Sequence, residues 1–191
     1  MHIQAMEHNL CKIRKFFGVA MHAILLSLLL ALAPNQTDGG TVGVKGQRFL
    51  AEVARTDQEK AKGLMYRTNL AKDRCMFFVY DEENYHSIWM KNCLIALDVV
   101  WVKADGTVVE IKENAPPLSV MFQGAETDIP TYGGKVMSRY FLEFPVGTVR
   151  RLKLAVGEKI GWDLQFKDGG SLSGGAPIAK EGGKAKKGRK K

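Results

Sequence analysis

Histidine is almost missing from the part of this chain that can fold. Of its four His residues, His2, His8 and His22 lie at or near the N-terminus and only His86 stands further on. No zinc or iron ligand set can be assembled from one imidazole. Cysteine is nearly as scarce. Cys11, Cys75 and Cys93 contain no Cys-x-x-Cys pair, so the signature of a redox-active dithiol is absent. The sequence also lacks a phosphate-binding loop, a dinucleotide fingerprint and any Ser or Cys in a nucleophile elbow. Eight methionines raise the question of copper(I) in an exported chain. Met65, Met76 and Met90 sit in apolar runs, however, where core packing accounts for them. The reading is therefore no cofactor and no metal.

A balanced charge is missing too, but only locally. Residues 171–191 hold seven Lys or Arg against one Glu, which is +6 of the chain's net +8 and leaves +2 for the rest. The basic character belongs to a tail and not to a folded surface. Residues 169–191, rich in Gly and Lys, read as a disordered basic tail. The contact it suits best is an anionic membrane or envelope polymer; the plainer reading is a solvated tail. Specific nucleic-acid binding is not expected.

The N-terminal end reads as an export signal. Lys12, Arg14 and Lys15 precede an uncharged apolar run over residues 16–33, and Ala31-Leu32-Ala33 has the small-x-small form of a cleavage site. Pro34 follows directly, and the run is about long enough to span a bilayer, so an uncleaved anchor stays open beside cleavage. Residues 1–34 are thus a signal peptide or N-terminal anchor, and the expected location is the periplasm or cell envelope. Cys11 lies ahead of the apolar run and so cannot be a lipoprotein cysteine. Residues 35–46 read as a flexible Gly-rich linker.

The folded domain is expected over residues 47–168. Residues 49–54 alternate as a half-buried strand does. Thr56-Asp57-Gln58-Glu59 has the form of a capping box, opening a short helix that Gly63 stops. Residues 75–80, Cys-Met-Phe-Phe-Val-Tyr, form a continuous apolar run, read as a strand buried on both faces. Residues 87–93 are taken as its hairpin partner. A second hairpin is expected from residues 97–102 and 107–112 around Ala104-Asp105-Gly106, and further strands at 139–144 and 158–166. Short strands, one or two short helices and no strand–helix–strand rhythm give a mainly β, antiparallel barrel or sandwich.

Val53-Ala54-Arg55-Thr56 with Glu59, residues 63–67 (Gly-Leu-Met-Tyr-Arg) and residues 76–79 (Met-Phe-Phe-Val) follow one another along the chain. Trp89-Met90-Lys91-Asn92, Leu97-Asp98, Phe141-Leu142-Glu143 with Gly147, and Gly157-Glu158 continue the series in unbroken order. Together these motifs resemble the domain of unknown function 192 family, also called uncharacterised protein family 0127. The resemblance covers residues 49–166. It implies a compact β-barrel-like or sandwich domain, often behind a signal peptide, and no established activity. Cys75 stands where that family commonly has Gly, Cys93 where it has Thr, and Glu158 where it has Asp.

Two sets of side chains are candidates for more than packing. If residues 75–80 and 87–93 form one hairpin, positions whose numbers sum to about 168 lie opposite each other, which places Cys75 against Cys93 at disulfide distance. The competing reading is two buried thiols. The second set is Arg67, Trp89, Lys91, Asn92, Asp98 and Glu143, with Glu59 beside it. As a ligand site, Trp89 would form a stacking wall while Lys91, Asn92 and Asp98 orient a small molecule. As structure, Asp98 would pair with Lys91 or Arg67 beneath the sheet. The leading functional reading is a non-catalytic envelope module that binds a small ligand or partner through the face around residues 89–98. The runner-up is an enzyme, such as a hydrolase, using Asp98 or Glu143 with Lys91. A third reading is a structural accessory domain tethered to the membrane.

Overall fold

The computed structural model describes residues 38–118, 124 and 128–179; the expected signal and the last twelve residues of the basic tail lie outside them. Eight strands form one sheet, curled into a half-barrel. In chain order these are β1 (Gly39–Val44), β2 (Gln47–Ala54), β3 (Arg74–Asn84), β5 (Leu97–Val102), β6 (Val108–Ala115), β8 (Ser138–Pro145), β9 (Gly161–Gln165) and β10 (Ser171–Gly175), and across the sheet they run β10-β9-β1-β2-β3-β8-β5-β6. A separate two-stranded ribbon joins β4 (Ser87–Trp89) to β7 (Thr131–Gly133). Two short helices, α1 (Asp57–Lys62) and α2 (Thr148–Leu152), complete the domain. The mainly β expectation holds.

Local chemistry explains several elements directly. Thr56 accepts from the Glu59 amide while the Glu59 carboxylate accepts from the Thr56 amide, closing the expected capping box of α1. Gly106, at φ +83°, turns the chain between β5 and β6. The Asp105 carboxylate accepts from the Thr107 amide across that turn at 2.9 Å. The β3 run is buried on both faces at the centre of the sheet, as its composition suggests.

Side-chain alternation along β3 and β8 separates two cores. Cys75, Phe77, Tyr140, Leu142 and Phe144 point into the half-barrel with Phe49, Val100 and Trp162. Met76, Phe78 and Phe141 face the other way and are covered by Leu64, Ile88, Met90, Cys93 and Trp101. The outer core exists because the segment after α1 and the β4–β7 ribbon lie across that face.

Three expectations need correction. Residues 75–80 and 87–93 do not form a hairpin: β3 pairs with β2 and β8, and β4 pairs with β7. Cys75 and Cys93 are consequently free, one in each core on opposite faces of the sheet, and no disulfide links them. One strand pair, β2–β3, is parallel, with Leu50 opposite Arg74. A parallel neighbour needs a crossover, and the capped helix α1 lies in it.

The edges of the domain also differ from expectation. Gly39–Val44, expected as linker, is β1, and Ser171–Gly175, expected as tail, is β10. Their glycines meet steric demands. A Cβ on Gly40 would lie 2.2 Å from the Asp163 carbonyl oxygen, and one on Gly174 would lie 2.7 Å from the Trp162 ring. Past β6 the sheet partly closes. The Val108 amide donates to the Glu158 carbonyl, the Ile160 amide donates to Gly106, and Thr107 bridges Lys159.

Candidate functional site

A cavity of about 80 Å³ opens on the outer face, between α1, β3, β4 and β8. Tyr80 and Phe78 of β3 and Phe141 of β8 form its aromatic side, and Trp89 stands at the end of β4. Lys60, Lys62 and Gly63 enter from α1 and its C-terminus, and Lys91 and Cys93 from the turn after β4. Glu143 comes from the middle of β8, brought opposite Met76 by the β3–β8 register.

Glu143 is the unusual member. Its residue is only 6 % exposed, and its Oε2 atom has no hydrogen-bond partner. That oxygen lies close to Gly63, at 3.9 Å from where a Cβ would stand there. Burial pushes the Glu143 carboxyl up to about 8, because the charged form loses its hydration without gaining a partner. At neutral pH the group is therefore largely a neutral acid. Burial first, then the Glu143 charge, pushes Cys93 and Tyr80 up to about 12.

Cations sit at the aromatic rim. Lys91 Nζ lies 5.0 Å from the centre of the Trp89 ring, and Lys60 Nζ lies 4.5 Å from that of Tyr80. The other side of the Tyr80 story is His86, which stacks on it at 3.7 Å between centroids. Trp89 itself is 38 % exposed, so one face of the rim is open to solvent.

The structure divides the residues singled out from sequence. Trp89, Lys91 and Glu143 meet at the cavity. Asp98 does not: it is 1 % exposed, and its two oxygens accept from the Asn114 and Val149 amides at 2.9 Å each. Its partners are backbone N–H groups, not the cation expected from sequence. Arg67 makes a two-pronged ion pair with Glu52. Asn92, at φ +55°, donates to the Tyr66 hydroxyl at 2.8 Å, and its carbonyl accepts from the Tyr66 amide. Its short polar side chain suits that left-handed backbone. Asn92 therefore ties the β4 turn to the exit of α1, and Glu59 serves the helix cap.

Lys60, Lys62, Gly63 and Tyr80 belong to the cavity and were not singled out beforehand. The available signal was Glu143 itself. An acid inside Phe-Leu-Glu-Phe cannot reach water when both faces of its strand are covered, so something must cover it. Among the described residues, no group of three His, Cys, Asp or Glu could hold a metal ion. No helix among them is long and apolar enough to cross a membrane.

Fold and site together define a half-barrel β domain carrying a small outer-face cavity with a buried acid. Over residues 40–162 the chain matches the family model DUF192, described as Uncharacterized ACR. The chain belongs to this DUF192 family. It is 31% identical over 118 residues to a UPF0127 protein of Thermococcus gammatolerans, across 61% of this chain and 68% of that one. Two crystal structures are similar. One, provisionally assigned as a transcription regulator, is from Sinorhizobium meliloti: TM-score 0.55, 29% identity, covering 65% of this chain and 92% of that chain. The other, of unknown function, is from Novosphingobium aromaticivorans: TM-score 0.53, 31% identity, covering 65% and 84%.

Proposed function

We propose that this domain is a binding module for a small molecule, which enters the cavity between Trp89, Lys91 and Glu143. The observation that carries the reading is the Glu143 Oε2 atom, buried and without a hydrogen-bond partner. Burying an unpaired polar atom costs about 1–3 kcal/mol, so an arrangement that leaves one beside a cavity is suited to a guest that completes it. The aromatic side and the half-exposed Trp89 supply apolar contact for the rest of such a guest.

A second reading, an enzyme, has one observation in its favour. A carboxyl pushed up to about 8 lies where proton transfer near neutral pH works best. The same unpartnered oxygen weighs against it. No nucleophile or orienting group is hydrogen-bonded to Glu143 Oε2, so the constellation of an acid–base enzyme is not assembled around it. Asp98, the other acid considered, is committed to two backbone amides.

The test is a nuclear magnetic resonance screen of the full chain against neutral, acidic and basic fragments at about millimolar concentration. Saturable shifts of the Trp89 indole and of the Leu64 and Cys93 amides are expected. If no fragment of any charge moves them, the binding reading falls. The proposed setting is the cell envelope, supported by Lys12, Arg14 and Lys15 ahead of the apolar run over residues 16–33. Cell fractionation is expected to recover the chain outside the cytoplasm. Recovery from the cytoplasm alone would remove that setting and leave the cavity unaffected.

A further inference from the structure

We infer that the guest of this cavity is a small carboxylate, held with one of its oxygens accepting the proton of Glu143 and its charge facing the lysine rim. The inference rests on the binding reading above and names the chemical class that reading leaves open.

Charge is the first argument. Among the described residues lining the cavity, Lys60, Lys62 and Lys91 stand against one acid, Glu143. Lys60 also pairs with the exposed Asp57 carboxylate at 3.3 Å, so the lining together with that partner carries +1 with Glu143 ionised and +2 with it protonated. An amine would be the obvious guest for a buried acid beside aromatic rings. Here, however, Lys91 already stands over Trp89 and Lys60 over Tyr80. A second cation would have to enter against both.

Hydrogen bonding is the second. A protonated carboxyl is a donor, and Glu143 Oε2 has no acceptor. A carboxylate oxygen is the acceptor that adds negative charge, which the lysines favour, and it forms the short, strong O–H···O⁻ bond of a shared proton. Size agrees: about 80 Å³ admits a carboxylate headgroup, with the body of the molecule lying on Trp89. No bond is made or broken in this step.

The pH dependence separates the candidates. The titratable groups around Glu143 are Tyr80 of β3, Cys93 after β4 and the lysines of α1 and the β4 turn, with Asp57 of α1 paired to Lys60 and His86 behind Tyr80. Tyr80 and Cys93 are both pushed up to about 12, and burial lowers His86. Between about pH 7 and about pH 9, above the ordinary range of a histidine that burial lowers, the change near the guest is therefore ionisation of Glu143. A carboxylate guest loses its donor and meets a like charge. An amine guest gains a counter-ion.

The experiment titrates the full-length protein with butyrate and benzoate, and with butylamine and benzylamine as matched amines, by calorimetry. For the carboxylates, saturable binding at about pH 7 is expected to weaken about tenfold by about pH 9. Glu143→Gln keeps a donor but cannot ionise, so its affinity should be level across that range. Amines that bind more tightly than the acids, with affinity rising with pH, would overturn the inference, as would a pH slope that persists in Glu143→Gln. If neutral fragments move the Trp89 and Cys93 resonances while neither acid binds, this inference fails and the binding reading stands. If nothing binds, both fail.

Discussion

Glu143→Gln is expected to stabilise the protein, and by an amount that grows with pH. The folded carboxyl is pushed up to about 8 from an ordinary value of 4.5, by burial. Between those two values the native state holds a proton that the unfolded state has released. Stability therefore falls as pH rises through this window, by about 1.4 kcal/mol per pH unit. It is fully present below the unfolded value and lost by the folded one, beyond which the curve is flat. Glutamine is nearly isosteric and does not ionise, so it escapes the loss. The two proteins should melt alike at about pH 4.5 and differ by roughly 4 kcal/mol above about pH 8. At about 2–4 °C per kcal/mol for a domain of this size, the variant should melt roughly 8–16 °C higher at the alkaline end. Paired thermal melts across that range check it. A difference that stays constant with pH would mean Glu143 is hydrated or paired in solution, and the neutral acid of the cavity would not exist.

Such an effect matters for function, because it identifies a residue the fold would be more stable without. Natural chains keep costly groups chiefly at working sites. Arg67 and Asn92 are different, since each has partners that account for it. Glu143 is the member of the original polar set whose cost nothing in the described fold offsets.

What could be read from the sequence were the features with short range. The Thr56–Glu59 capping box, the Asp105-Gly106 turn and the all-apolar β3 run each depend on residues within a few positions of one another. The partners of β3 could not be read in the same way. Met76 meets Glu143 and Leu50 meets Arg74 because α1 carries the chain across before the sheet closes, and no local pattern marks a crossover that short. The pairing assumed for Cys75 and Cys93 failed for this reason. It took sequence neighbours to be sheet neighbours. The glycine-rich ends misled in another way. Gly40 and Gly174 look like linker residues, yet each is glycine because a carbonyl or an indole ring occupies the space of a side chain. Trp89, Lys91 and Glu143 were found in advance by chemical type. The α1 residues that complete the cavity depended on the crossover and were not.

Asp98→Ala is expected to cost about 3 kcal/mol. The carboxylate lies near the start of β5, 1 % exposed, opposite Phe144 of β8. Its Oδ1 takes the Asn114 amide near the end of β6, and its Oδ2 takes the Val149 amide in the first turn of α2, both at 2.9 Å. Asn114 holds a left-handed backbone at φ +50°, so the bond also fixes a backbone conformation that few residue types other than Gly and Asn adopt. Hydrogen bonds to a charged acceptor contribute about 1.5–3 kcal/mol each. Removing the acid leaves both donors unsatisfied, offset in part because no carboxylate then has to be kept from water. The expected fall in melting temperature is roughly 6–12 °C. Asp98→Asn keeps one acceptor and turns an amide N–H towards the other donor, so it should fall between the parent and Asp98→Ala. Amide exchange at Asn114 and Val149 should speed up in both variants, while the Trp89 and Cys93 signals at the cavity stay in place. A melting temperature unchanged by Asp98→Ala would mean that α2 and β6 are held by other contacts. Asp98 would then return to the list of groups available for a ligand.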